Sequence, residues 1–151
     1  MKKKKVVSNV QVYGIEESIA ASKLPFAVNP EDVTPEITKT VKALALSLPG
    51  FGEDTFLDGI IVQFDLTFTM KAWTELQRYH FIEFVSSQST MHRITKFELE
   101  DQCNEYVDSR IIEILREKIS DYEQDKTEES FYRMMYNIPS GMRLTARMST
   151  E

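Results

Sequence analysis

Residues 77–94, QRYHFIEFVSSQSTMHRI, concentrate the side chains best suited to chemistry. They hold both histidines of the chain, two arginines, three serines, two glutamines and a threonine. A zinc site would need its ligands at short, fixed spacings such as C-x2-C with H-x3-H. His80 and His92 are instead twelve residues apart, with Cys103 eleven further on, so no metal is expected. Ser86, Ser87 and Ser89 lie near His80, but there is no G-x-S-x-G elbow, and serines in such a cluster usually cap and turn the chain. Phosphate binding by a glycine-rich loop is also excluded, since PGFGED carries neither a Walker lysine nor G-x-G-x-x-G. What remains is Arg78, His80, Gln88, His92 and Arg93. Arginine forks match phosphate or carboxylate, while amides and hydroxyls match a sugar, a base or a flavin ring. The set suits an anionic ligand such as a nucleotide.

The elements that must position these groups follow from hydrophobic pattern. A strand is predicted over 6–13 and a short helix in IEESIAASKL. PFAVNPED reads as a loop. A helix is predicted over 34–48, with Thr34 as cap, Pro35 in its first turn and Pro49-Gly50 as its stop. GIIVQFDLTF alternates with every even position apolar, the clearest strand in the chain. Thr69 can then cap a helix over 70–85. At 100° per residue that helix would place Trp73, Leu76, His80 and Phe84 on one side and Glu75, Arg78 and Ile82 on the other. A helix covered on both sides hints at oligomerisation. MHRITKFELE reads as a short strand. A long amphipathic helix is predicted over 101–124, its apolar stripe running through Cys103, Tyr106, Val107, Ile111, Ile114, Leu115, Ile119 and Tyr122. EESFYRMMYNIPSG is a last helix, stopped by Pro139 and Gly141. Few strands among many helices give an α+β fold: a small sheet with several helices, one of them long. The expected organisation is a flexible basic tip at 1–5 and one α+β domain at 6–151.

Charge and composition narrow the function classes. The net charge is −6, and residues 98–129 hold most of the acid. A duplex nucleic-acid binder would show a basic face, so direct duplex binding is not expected. No run is long and apolar enough for a membrane helix, and the basic start lacks the apolar core of a signal peptide. The single cysteine excludes an internal disulfide, and a cytoplasmic location is expected.

The segment GEDTFLDGIIVQFDLTFTMKAWTELQRYHFIEFVSSQST resembles the flavin-dependent thymidylate synthases, also called thymidylate synthase complementing proteins. In that family a glycine-acid-aromatic turn leads into a strand and then a helix bearing R-H-R-x7-S, overlapped by N-E-x-S-x-R. Residues 56–68 resemble the strand region. Arg78 falls on the first arginine of R-H-R, Tyr79 on its histidine and His80 on its second arginine. Gln88 falls on the serine, flanked by Ser87 and Ser89. A frame that sets Gln88 on the motif glutamate leaves Thr90 for serine and His92 for arginine. NIPSGMRLTARMST resembles the entry to the family's last strand-helix region, and the resemblance spans residues 40–150.

The resemblance implies an α+β fold that assembles as a homotetramer, with FAD and deoxyuridine monophosphate bound across subunit interfaces. It implies Arg78, His80, Gln88 and Ser89 at the cofactor, and Ser87, His92 and Arg93 at the nucleotide. The family's reaction is reductive methylation, with methylenetetrahydrofolate as carbon donor and a nicotinamide as reductant. Its next helix supplies an arginine to the deoxyuridine phosphate, and the sequence ends at Glu151 before that helix, so the domain is expected to be truncated. An arginine replaced by histidine loses a permanent charge and a planar fork. The expected function is therefore a diverged thymidylate synthase-like protein that binds a nucleotide or flavin with impaired or no synthase activity. Two alternatives stand beside it. One is a small acidic, non-catalytic interaction protein of the phage type, acting through its acidic helix. The other is an active FAD-dependent synthase methylating deoxyuridine monophosphate.

Overall fold

The structure is a computed structural model and describes residues 5–48 and 50–151. Lys2, Lys3 and Lys4 of the predicted basic tip, and the predicted helix stop Pro49, lie outside the described residues.

The described chain combines helices with a four-stranded antiparallel sheet. The strands are β1 (Val7–Tyr13), β2 (Ile61–Thr69), β3 (Glu83–Ser87) and β4 (Arg143–Thr150), in the order β1-β2-β4-β3. The helices are α1 (Ile15–Ala21), α2 (Lys39–Ala45), α3 (Met70–Leu76), α4 (Thr90–Arg93), α5 (Leu99–Gln102), α6 (Ser109–Asp125) and α7 (Glu128–Met135). Among the described residues, no helix is long and apolar enough to cross a membrane. The chain divides into two compact units. Among the described residues, one comprises 5–8, 65–80 and 84–148; the other comprises 9–48, 50–64, 81–83 and 149–151.

In the first unit, β4 is held to β2 by side chains as well as by its ladder. Thr67 and Thr145 hydroxyls meet at 2.8 Å, and Arg147 reaches Asp65 at 3.2 Å. One number rises as the other falls, as antiparallel pairing requires. The predicted strand GIIVQFDLTF is thus observed as β2, with Leu66 buried. MRLTARMSTE, for which pattern reading assigned no element, is β4. It was legible only through the family resemblance, because its apolar residues lie between arginines, threonines and serines. Ala146 and Met148 are nevertheless buried.

The core of this unit is built where α5, α6 and α7 meet. Ile94, Leu99, Cys103, Ile112, Leu115, Met134 and Met142 form one buried cluster. Asp108 and Thr127 cap α6 and α7, accepting from the amides of Arg110 and Ser130. The helix predicted from 101 begins only at Ser109, because residues 103–108 turn and Asp108 supplies the cap. Its buried face also differs: Ile112 and Leu115 are buried, while Ile111 and Ile114 are exposed. The predicted strand in MHRITKFELE is instead α4, a 3-10 turn and the start of α5.

The second unit packs α1 against the turn before β2. Gly14 enters α1 at φ +77°, and a Cβ there would lie 2.3 Å from the carbonyl oxygen of Gly59. A Cβ on Gly59 would lie 2.5 Å from the Ser18 hydroxyl. This close approach fixes the route of the chain from β1 into α1. The helix predicted over 34–48 is shorter than its pattern: it is α2, capped by Thr38 rather than Thr34. Thr38 Oγ1 accepts from the amide of Val41 at 3.3 Å, so the later threonine wins the start. Ile37 and Leu48, apolar residues inside the predicted helix span, are exposed.

Candidate functional site

The site region is organised by a helix that stops early. Thr69 caps α3 as predicted, its hydroxyl accepting from Ala72 N at 3.3 Å. The helix then ends at Leu76, nine residues short of the predicted end. Residues 79–85, YHFIEFV, are aromatic or β-branched at six of seven positions if histidine is counted as a ring. Such side chains favour a pleated strand, and β4 offers the partner edge. The amide of Gln88 donates to Thr145 O at 2.9 Å, and Thr145 N donates to Gln88 Oε1 at 2.9 Å. The predicted helical face of Trp73, Leu76, His80 and Phe84 therefore does not exist beyond Leu76. Trp73 and Phe84 still meet, with ring centroids 4.9 Å apart, because β3 folds back beside α3.

Each predicted residue now has a place. Arg78 and His80 stand exposed in the turn after α3. Ser87 ends β3, and Gln88 is clamped to β4. Ser89 precedes α4, and its hydroxyl pairs with His92 Nδ1 at 2.9 Å. His92 and Arg93 are exposed on α4. The Ser-His contact in this stretch is thus Ser89 with His92, not a serine with His80. No described carboxylate hydrogen-bonds His92, so the orienting member of a catalytic triad is missing. The side chains of Arg78, His80 and Arg93 make no hydrogen bond or ion pair with another described residue.

Pattern reading missed the recess beside these groups. A cavity of about 280 Å³ is lined by Met70, Trp73, Thr74, Gln77, Phe84, Ser87 and Leu144. Its walls are mostly apolar, with the Gln77 amide and the Ser87 hydroxyl as polar handles. Trp73 is fixed from behind: its indole N–H donates to Leu144 O at 3.3 Å, and Phe68 packs on it at 5.5 Å. The lone tryptophan was the available signal for this recess; Leu144 carried none. A planar heteroaromatic ring suits such a slot, and Arg78, next in sequence to Gln77, suits an anionic group attached to it. Among the described residues, no group of three or more His, Cys, Asp or Glu could hold a metal ion.

Cys103 is buried in the α5–α7 core, and burial pushes its thiol up, against a lowering by Arg143. It is therefore protonated at neutral pH and unsuited to nucleophilic work. The acidic span is largely engaged with its own cations. Arg116 binds Glu100 and Glu113, Lys118 binds Glu117 and Asp121, Arg133 binds Glu129, and Arg143 binds Glu105.

No family model matches the chain, and no curated protein matches it. Solved structures do. A crystal structure of thymidylate synthase X from Helicobacter pylori with FAD and dUMP superposes with a TM-score of 0.66 at 14% identity, covering 95% of this chain and 78% of that one. A second structure of the flavin-dependent thymidylate synthase of the same organism, also complexed with FAD and dUMP, gives 0.65 at 14% identity with the same coverage. The chain has a fold similar to that of these flavin-dependent synthases.

Proposed function

We propose that the chain is a diverged thymidylate synthase X-like protein that binds a flavin or a nucleotide where α3 turns into β3, with little or no synthase activity. The observation that carries this reading is the likeness over 95% of the chain to structures solved with FAD and dUMP. The local chemistry supports it. Arg78 keeps one permanent fork free for a phosphate, and Arg93 offers a second cation. The recess of Trp73, Gln77, Phe84 and Ser87 accepts a planar ring, and Gln88 holds the adjoining turn against β4. The proposal also includes His80, Ser89 and His92, which belong to the same polar stretch of sequence. FAD, when bound, would supply electron transfer; the residues named here would bind and orient it.

The reduced activity follows from what replaces the family motif. Tyr79 and His80 stand where R-H-R would supply histidine and arginine. An imidazole lacks the planar, multi-donor fork with which a guanidinium holds a pyrophosphate. The local ion pairing of the acidic span leaves the acidic-interaction alternative less favoured.

We place homo-oligomerisation in the same proposal. Val7, Val10, Val12 and Tyr13 of the edge strand β1 are all exposed, which is unusual for a strand of that composition. The binding reading is tested by visible absorbance of the purified protein and by thermal shift with FAD and with dUMP. Retained flavin or a saturable stabilisation supports it; colourless protein with no shift by either ligand overturns it.

A further inference from the structure

We infer that the second unit carries a separate binding site for a small organic monocarboxylate with an apolar body, seated on Lys23. A recess of about 430 Å³ is lined by Lys23, Phe26, Thr38, Thr40, Val41 and Leu44, with Ser22 at its edge. That size lies within the roughly 300–1,000 Å³ typical of small-molecule sites. Its walls are chiefly apolar, and no acidic residue lines it.

The one charge in the recess is held in place without being neutralised. Lys23 Nζ donates to Thr34 O at 2.7 Å and to Thr34 Oγ1 at 3.2 Å, both neutral acceptors. Among the described residues no carboxylate lies within ion-pair distance of it. Lys23 and Phe26 also line an adjoining recess together with Thr34 and Asp32, where Asp32 accepts from Asn29 Nδ2 at 3.1 Å instead of pairing with the ammonium. An ammonium has three donors, so one N–H of Lys23 remains for an incoming anion. Of the surrounding hydroxyls, Ser22 has its proton committed, while Thr38 is only an acceptor in its cap and keeps its O–H to donate. Ser22 Oγ donates to Ile19 O at 2.7 Å, and Thr38 Oγ1 accepts from Val41 N at 3.3 Å. Thr40 is exposed and able to turn toward a second carboxylate oxygen. Phe26, Val41 and Leu44 form the apolar part. One cation over an apolar wall fits a single carboxylate carrying an aromatic or aliphatic body; a di- or triphosphate would need further cations. The site shares no residue with the α3–β3 recess and stands or falls apart from it.

The test uses 2-naphthoate and its neutral amide, 2-naphthamide, titrated into the full chain and followed by backbone amide NMR at Thr38 and Val41. Naphthoate is expected to bind about tenfold more tightly than the amide, the order of one charge-assisted hydrogen bond. Lys23→Met is expected to erase that preference, and Thr40→Trp, at an exposed rim position, to block both compounds. Equal affinity for acid and amide, a preference that survives Lys23→Met, binding unaffected by Thr40→Trp, or no saturable shift at Thr38 and Val41 overturns the site. Should Lys23→Met fail to fold, the acid-amide comparison and Thr40→Trp decide alone.

Discussion

Arg78 is exposed just past α3 and pairs with no described side chain, so removing it takes away charge without disturbing packing. Arg78→Ala is expected to weaken flavin or nucleotide binding by about tenfold or more, the order of a charge-assisted contact, and to leave the melting temperature unchanged. Calorimetric titration beside a thermal melt separates the two effects. Cys103 gives the opposite case, a reactive type kept inert by burial. A thiol reagent at neutral pH is expected to label it only when denaturant is present; fast labelling of native protein would contradict its placement. Asp125 links pH to folding. Its carboxylate accepts from the Ser130 hydroxyl and from Thr127 N at 3.1 Å, which holds its pKa below the ordinary range. A depressed folded pKa contributes stability that is present above the ordinary carboxylate value, about 3.9, and is lost as pH falls through the folded value. Asp125→Asn is therefore expected to flatten the acid side of a stability-pH curve, read by denaturant midpoints from neutral pH downward.

The elements depend on caps and close contacts that can be removed one at a time. Thr127→Ala deletes the hydroxyl that accepts from Ser130 N at 3.2 Å at the start of α7, and a cost of about 1 kcal/mol is expected in chemical denaturation. Leu115→Ala, in the fully buried face of α6, is expected to cost about 2–5 kcal/mol. Much of this layer was legible in the sequence. Thr69 as a cap and the strand at β2 are local signals, and both are observed, although along β2 only Leu66 is buried and the two faces do not alternate in burial. Local signals failed where a distant partner decided the outcome. YHFIEFV has enough helical periodicity to extend α3, yet its first four residues leave the helix and its last three enter β3, where β4 presents Thr145 and Thr150 to pair with Gln88 and Phe81. β4 itself was illegible by pattern, since a strand lying between two others need not alternate cleanly. Thr34-Pro35 looked like a helix start, and Thr38 took that role four residues later.

Taken whole, the fold is similar to that of flavin-dependent thymidylate synthases, while the motif that would mark the chemistry is altered at Tyr79, His80 and Gln88. Backbone topology tolerates far more sequence change than a binding constellation does, so fold and activity are free to part company. The proposed site residues Arg78, His80, Gln88, Ser89, His92 and Arg93 were legible as a polar stretch. The recess was not, because it joins α3, β3 and β4 across more than sixty residues of sequence. If the exposed β1 face is covered by a second copy, size-exclusion with light scattering should give a mass at a multiple of 17.5 kDa, and Val10→Lys should lower it. A concentration-independent monomer would remove that part of the proposal. The most direct measurement is a titration of FAD into the purified chain, followed by the fluorescence of Trp73, its single tryptophan. A saturable quench that Arg78→Ala weakens is the expected result; a Trp73 signal indifferent to FAD after absorbance correction would contradict a flavin-binding site at the α3–β3 turn.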